Sequence, residues 1–254
     1  MTTFSLSVEQ HIGMVTFNKP PVNAFDRQAY VELKEVFEAI NSMDDIWVVL
    51  LKAEGKHFST GNDVREFLGL TTREQAQAYA QGVSDGVAAV YNCRVPVIAA
   101  VHGSALGAGL ALASCCDVIV AAENARFGLP EIRVSIVGAA CFIARMVPQH
   151  LHRYLAFSGD VLTAGEMKQF GAVLKVVPQA ELWPTALAVA QRLAAMPPLC
   201  LRGFKAAMNE NENTNLPAQY AVELRHGAAL IDSQDFKEAV ASMLEKRQPV
   251  FHAG

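Results

Sequence analysis

Apolar residues along this chain change their spacing several times, and each change marks a new element. Near the N-terminus they alternate, with Phe4, Leu6 and Val8, then Ile12, Met14, Val15 and Phe17 around Gly13. That period of two predicts a pair of strands joined by a short turn. The segment NKPPVNAF (Asn18 to Phe25) predicts an extended chain, because proline fixes φ. From Asp26, a helix cap by type, the period becomes helical, with Tyr30, Leu33, Val36, Phe37 and Ile40 on one face. Ile46 to Leu51 is continuously apolar, as expected of a strand covered on both sides.

A polar loop, Gly55 to Phe67, follows that strand, and a helix is predicted within residues 73 to 92. Val97 to Val101 is a second buried strand. After Glu131, the run IRVSIVGAACFIARMVP predicts a turn and a packed helix ending before Pro148. A further helix begins after Thr163, stops at Gly171 and gives way to a strand from Val173 to Val177. From there the pattern is helical, over Leu182 to Ala195, Leu199 to Glu210, Ala218 to Ile231 and Asp235 to Lys246. A strand-strand-helix rhythm recurs at Phe4 to Ile40, Ile46 to Tyr91 and from Val97 onward. The fold class is therefore α/β, with a core of residues 1–195 wound from similar units and a helical region of residues 196–254.

Composition narrows the function classes. The 254 residues are 52% hydrophobic and 18% charged, which is globular, and the net charge of -4 supplies no basic footprint for nucleic acid. The five cysteines (Cys93, Cys115, Cys116, Cys141, Cys200) show no CxxC spacing and read as reduced and buried. The start, MTTFSLSVEQHIG, has neither the basic head nor the apolar core of an export signal, so a cytoplasmic location is expected. Val95 to Cys116 is apolar enough to suggest a membrane span. Pro96, His102, Ser104 and the glycines break it, and a buried βα unit explains it better.

The candidate chemistry lies between Val95 and Glu131. After the strand Val97 to Val101, Gly103, Gly107 and Gly109 permit close backbone approach before a helix opens. Free N–H groups at a helix start stabilise negative charge, whether a phosphate or an oxyanion formed during reaction. A dinucleotide fingerprint is disfavoured, since Leu112 stands where its third glycine should be. The frame of a serine-hydrolase elbow is missing at Gly103-Ser104. The histidines are scattered and none pairs with a carboxylate at ligand spacing, so no metal site is expected. His102 reads as a structural hydrogen-bonding residue.

Four segments, taken in order, carry a resemblance: NKPPVNAF, FSTGNDV, VPVIAAVHGSALGAGLALASCCDVIVAAENARFGLPE and LAFSGDVLTAGEMKQFGAVLKVVP. Together they resemble the crotonase superfamily of enoyl-CoA hydratases and isomerases, from residue 4 to about residue 250. The resemblance implies a spiral of ββα units with a C-terminal helical trimerisation region, hence a homotrimer or a dimer of trimers. It implies a coenzyme A thioester as substrate, with no cofactor besides, and no nucleic-acid or membrane partner.

By motif position, the thioester oxygen would accept the backbone N–H groups of Asn62, after Thr60 and Gly61, and of Ala108, between Gly107 and Gly109. Ala108 stands where glycine is usual and Asn62 where alanine is usual. Family hydratases resemble one another in two glutamates. Here the first position is Ala111 and the second is Glu131, expected to have a raised pKa in an apolar loop. A further acid found elsewhere in the superfamily is replaced by Ala139. One carboxylate suits proton transfer between carbons, so the expectation is an enoyl-CoA isomerase. The alternatives are a hydratase with a displaced second acid, a decarboxylase or thioester hydrolase, and a catalytically silent acyl-CoA scaffold. Asp63 and Asp117 match fold-maintaining acids, Asp63 close to the substrate loop, and Lys19 and Lys246 are candidates for the coenzyme A phosphates.

Overall fold

A computed structural model describes residues 2–212, 216–230 and 232–251. The expected hairpin is β1 (Phe4–Glu9) and β2 (Ile12–Phe17), paired antiparallel. Then come β3 (Ala24–Phe25), α1 (Arg27–Asn41), β4 (Val48–Ala53), β5 (Gly61–Asn62), a 3-10 turn over Val64–Gly69, and α2 (Arg73–Tyr91). The central stretch holds β6 (Val97–Val101), β7 (Ser104–Leu106), α3 (Ala108–Cys115), β8 (Val118–Ala122), β9 (Arg126–Gly128) and a 3-10 turn over Pro130–Val134. Next follow α4 (Ala140–Ala144), α5 (Gln149–Ser158), β10 (Val161–Thr163), α6 (Ala164–Gln169) and β11 (Lys175–Val177). Four helices close the chain: α7 (Gln179–Ala194), α8 (Pro198–Asn211), α9 (Leu216–Leu230) and α10 (Gln234–Leu244).

The six-stranded sheet has the order β1-β2-β4-β6-β8-β11, and every pair after the hairpin is parallel. Alternation along β4 shows why the run is apolar throughout. Val49 and Leu51 point into the larger core with α1 and α2, while Val48 and Leu50 face Leu182, Ala186 and Ala190 of α7. A second layer of short strands, β10-β9-β7 and β3-β5, is joined by a bridge between Ser59 and Ala105. This doubling of strands gives the mixed α/β spiral of ββα units implied by the resemblance.

Several local expectations hold because the caps are real. Asp26 accepts a hydrogen bond from Ala29 N–H at 2.9 Å, and Thr72 and Thr163 each form reciprocal capping boxes at α2 and α6. Asp117 ties β6 to α8, accepting from Val97 N–H and from the buried Lys205 ammonium, each at 2.7 Å. His102 is structural, bonding Gly55 O at 2.9 Å.

Other expectations are corrected. Lys19 to Asn23 closes a turn where an extended chain is expected, and only Ala24 and Phe25 at the end of the segment are extended, as β3. Asn23 N–H donates to Lys19 O at 2.8 Å, Lys19 N–H donates to Asn23 Oδ1 at 2.6 Å, and the Pro20–Pro21 peptide is cis. The segment before Pro148 holds the expected turn and packed helix, the 3-10 turn and the short α4, but the sequence pattern gives no sign of α5 beyond that proline. All five cysteines are free, but Cys200 is exposed rather than buried.

Candidate active site

Two glycine-dependent turns meet beneath the second layer. β5 and the start of α3 lie so close that a Cβ at Gly61 would come within 2.9 Å of Leu106 O and 3.3 Å of Ala108 N. Gly61 escapes strain at φ +98, a region that side-chain-bearing residues rarely adopt. Gly107, at φ +55, is the N-cap of α3, and Ala108 takes the first helical position with an ordinary φ. Its N–H therefore belongs to the first turn, which has no intrahelical acceptor. In the β3–β5 ladder Asp63 N–H donates to Phe25 O at 2.8 Å, so the opposite alternation turns the Asn62 N–H away from that ladder.

Glu131 reaches the same place from the 3-10 turn after β9, which Pro130 initiates. Gly107 makes room for it: a Cβ there would collide with Glu131 Oε1. The carboxylate's other oxygen, Oε2, is buried and bonds no protein atom. Burial, reinforced by the nearby negative charge of Glu223, pushes the Glu131 carboxyl up to about 8. The expected rise is present, and neither Arg126 nor Arg133 neutralises it. Arg126 bonds the carbonyls of Glu123 and Ala125, and Arg133 faces Asp160 at 3.7 Å.

Asn62, Ala108 and Glu131 line one pocket of about 670 Å³, open in part to solvent. Its remaining walls are largely apolar, from Phe67 and Leu70, from α2 through Ala76, Tyr79, Ala80 and Val83, and from Ile136. Tyr220, Leu224, Gly227 and Phe236 of α9 and α10 complete it. The C-terminal helices of this chain thus form part of the pocket, a contribution the sequence pattern does not reveal. Tyr30, also unanticipated, is 1% exposed and donates to Asn62 Oδ1 at 2.6 Å, which fixes the Asn62 side chain.

The two alanines at the replaced acid positions are buried, Ala111 within α3 and Ala139 in the pocket wall. Glu223 is the carboxylate whose charge acts on Glu131, but it is occupied, accepting Ala140 N–H at 2.9 Å and Cys141 N–H at 2.5 Å as a cap for α4. The remaining candidates lie outside the pocket lining. Thr60 Oγ1 donates to Val22 O, and Asp63 caps the 3-10 turn while pairing with Arg65 at 2.6 Å, an interaction that lowers its pKa. Lys19 pairs with Asp26 at 2.6 Å, and Lys246 sits exposed just beyond α10. No cluster of His, Cys, Asp and Glu able to hold a metal ion occurs among the described residues, and none of their helices is long and apolar enough to cross a membrane.

Comparison with known proteins identifies the family of the chain. Residues 7–254 match the family model described as Enoyl-CoA hydratase/isomerase. A Mycobacterium tuberculosis protein named (7aS)-7a-methyl-1,5-dioxo-2,3,5,6,7,7a-hexahydro-1H-indene-carboxyl-CoA hydrolase is 38% identical over 226 residues, covering 88% of this chain and 90% of its own length. The crotonyl-CoA hydratase of Syntrophomonas wolfei is 32% identical over 253 residues, 97% of this chain and 96% of that one. The crystal structure of an enoyl-CoA hydratase/isomerase from Pseudoalteromonas atlantica superposes with a TM-score of 0.88 at 30% identity, covering 98% of this chain and 100% of the other. This chain belongs to the enoyl-CoA hydratase/isomerase family.

Proposed function

We propose that this protein acts on the acyl group of a coenzyme A thioester through an enolate, with Glu131 as its one proton-transferring group. The observation that carries the reading is Glu131 Oε2, buried and unpartnered in an apolar pocket beside the first turn of α3. The N–H groups of Asn62 and Ala108 would donate to the thioester oxygen, where negative charge develops. Two such preorganised donors each lower a barrier by about 3 kcal/mol when measured by deletion. No cofactor beyond the thioester is required.

In isomerisation, the Glu131 carboxylate takes a proton from C2 of a 3-enoyl thioester and the electron pair moves onto the thioester oxygen. The carboxylic acid then returns the proton at C4, and the double bond ends between C2 and C3. Hydration fits less well, because it draws on a second carboxylate. Ala111 and Ala139 supply none, and the oxygens of Glu223 are taken.

A hydrolytic reading is favoured by the 38% identical relative, whose name is that of a hydrolase acting on a dioxo carboxyl-CoA. The same parts serve it. Glu131 takes a proton from water as the hydroxyl adds to a ketone carbon β to the thioester. The C–C bond then breaks, releasing a carboxylic acid and the thioester enolate, which protonated Glu131 quenches. Incubation of a 3-enoyl-CoA and a cyclic β-keto-acyl-CoA in D2O, with product masses, separates the two. A shifted double bond without added water marks isomerisation, and gain of water with a new carboxylic acid marks hydrolysis. A 3-enoyl-CoA whose double bond stays in place together with a β-keto-acyl-CoA that stays intact would contradict both.

Self-association is also proposed. Tyr154, Phe157, Phe170, Leu174, Phe204 and Met208 are large, apolar and exposed on the monomer, as subunit contacts with further copies of this chain would require. A solution mass of three or six chains supports it, and a monomeric mass contradicts it.

A further inference from the structure

A second buried polar atom without a partner belongs to a residue of the pocket wall, the hydroxyl of Tyr79, and the proton chemistry assigned to Glu131 makes no use of it. Tyr79 lies on α2 between Ala76 and Val83, three residues before and four after it, so all three project from one face of the helix into the pocket wall. Its ring is held from two directions. Phe67 packs edge-on with centroids 5.6 Å apart, and the Arg27 guanidinium lies 5.5 Å from the ring centroid. Arg27 is itself anchored on Glu66 at 3.1 Å. Burial raises the Tyr79 pKa far above the ordinary phenol range, which leaves the hydroxyl protonated and able to donate.

Buried polar groups in folded proteins almost always have a hydrogen-bond partner, and a held donor in a ligand pocket is completed by what the pocket receives. Tyr30 shows the contrast: its hydroxyl is satisfied within the protein by Asn62 Oδ1. Leu70, Val83, Ile136, Leu224 and Phe236 of the pocket lining carry no acceptor side chain, and the Tyr79 hydroxyl bonds none of the acceptors that the lining does hold at Asn62, Glu131 and Tyr220.

We propose that Tyr79 determines substrate class, donating its hydroxyl proton to an oxygen on the body of the acyl group. The substrates are then coenzyme A thioesters whose acyl part carries a ketone or hydroxyl oxygen remote from the thioester, in preference to plain hydrocarbon chains. This rests on the reading of the pocket as the acyl site. A site built to bond an oxygen discriminates strongly against the analogue lacking it, because the donor is then left buried and unpaired.

The test measures binding by titration calorimetry to the full chain carrying Glu131→Gln, which prevents turnover. The probes are cyclohexanecarboxyl-CoA and its 3-oxo and 4-oxo derivatives. At least one oxo ligand should bind about tenfold or more tightly than the parent. Adding Tyr79→Phe should erase that preference while leaving affinity for the parent within about threefold, which also shows that the pocket remains folded. Equal binding of parent and both oxo ligands, or a preference that survives Tyr79→Phe, overturns the proposal. Failure of all three thioesters to bind overturns the acyl-site reading itself, and is distinguishable from the loss of preference alone.

Discussion

Gly107 and Glu131 are built around one another. The Glu131 carboxylate occupies the space that a side chain at 107 would need, and Gly107 adopts the left-handed φ that opens α3 with Ala108 in its first turn. One substitution should therefore disturb both the donor turn and the carboxylate. Gly107→Ala is expected to lower turnover by at least about a hundredfold and stability by about 2–4 kcal/mol, combining backbone strain with overpacking. Gly69→Ala, where a Cβ meets nothing within 4 Å, is the silent control in both kinetics and denaturant unfolding.

The raised carboxyl of Glu131 sets a pH dependence. A base must be ionised, so kcat/KM should rise with pH and level off above an apparent pKa of about 8. Glu131→Gln should flatten that limb in a pH–rate profile.

The same shift predicts a stability effect of defined sign. Glu131 holds its proton up to about 8 when folded, against an ordinary glutamate value of 4.5. The native state thus binds more protons between those values, and stability falls as pH rises through that window. Glu131→Gln removes the penalty. Its Tm should match the parent's near pH 5 and exceed it by several degrees near pH 9, about the size of a shift worth a few kcal/mol.

Lys205 is 2% exposed, and its ammonium is held by Asp117 at 2.7 Å and Val95 O at 3.1 Å. Removing the carboxylate leaves a buried charge and an orphaned Val97 N–H. Asp117→Ala should cost about 3–5 kcal/mol in denaturant unfolding. The pair is structural, so ligand affinity of the folded fraction should be unchanged.

Tyr30→Phe takes the partner from Asn62 Oδ1. Loss of that bond should cost about 1 kcal/mol and a Tm drop of about 2–4 °C. If Asn62 supplies a backbone donor to the developing oxyanion, kcat should also fall while KM changes less.

Legibility in the sequence follows range. β4 was readable because four successive buried residues serve two cores at once, and α1, α2 and α6 because their caps act within three residues. β3, β5, β7, β9 and β10 are two or three residues long, too short to show any period, and they form the layer that positions the site. The turn at Lys19 to Asn23 is hidden in the sequence because the Asn23 side chain closes it, which proline content does not encode. α5 escaped notice because it buries only Leu155.

At the site, Glu131 and the turn at Gly107 were visible through motif position. Tyr79 and Tyr30 were not, since a tyrosine at helical spacing reads as core. The available signal was a hydroxyl on a face that must be fully buried. The contributions of Tyr220 and Phe236 depend on α9 and α10 folding back over α2 and the 3-10 turns, a tertiary contact with no local trace.

The account turns on Glu131 as the single group that moves protons at the acyl carbon. Its most direct test is exchange of the C2 hydrogens of a saturated acyl-CoA with D2O, where a proton can be taken and returned but no double bond can shift, read by mass spectrometry for the parent and for Glu131→Gln with thioester binding verified in both. The parent should incorporate deuterium, and the variant should bind comparably while exchanging about a hundred- to ten-thousandfold more slowly. Exchange by Glu131→Gln at the parent rate would contradict the account.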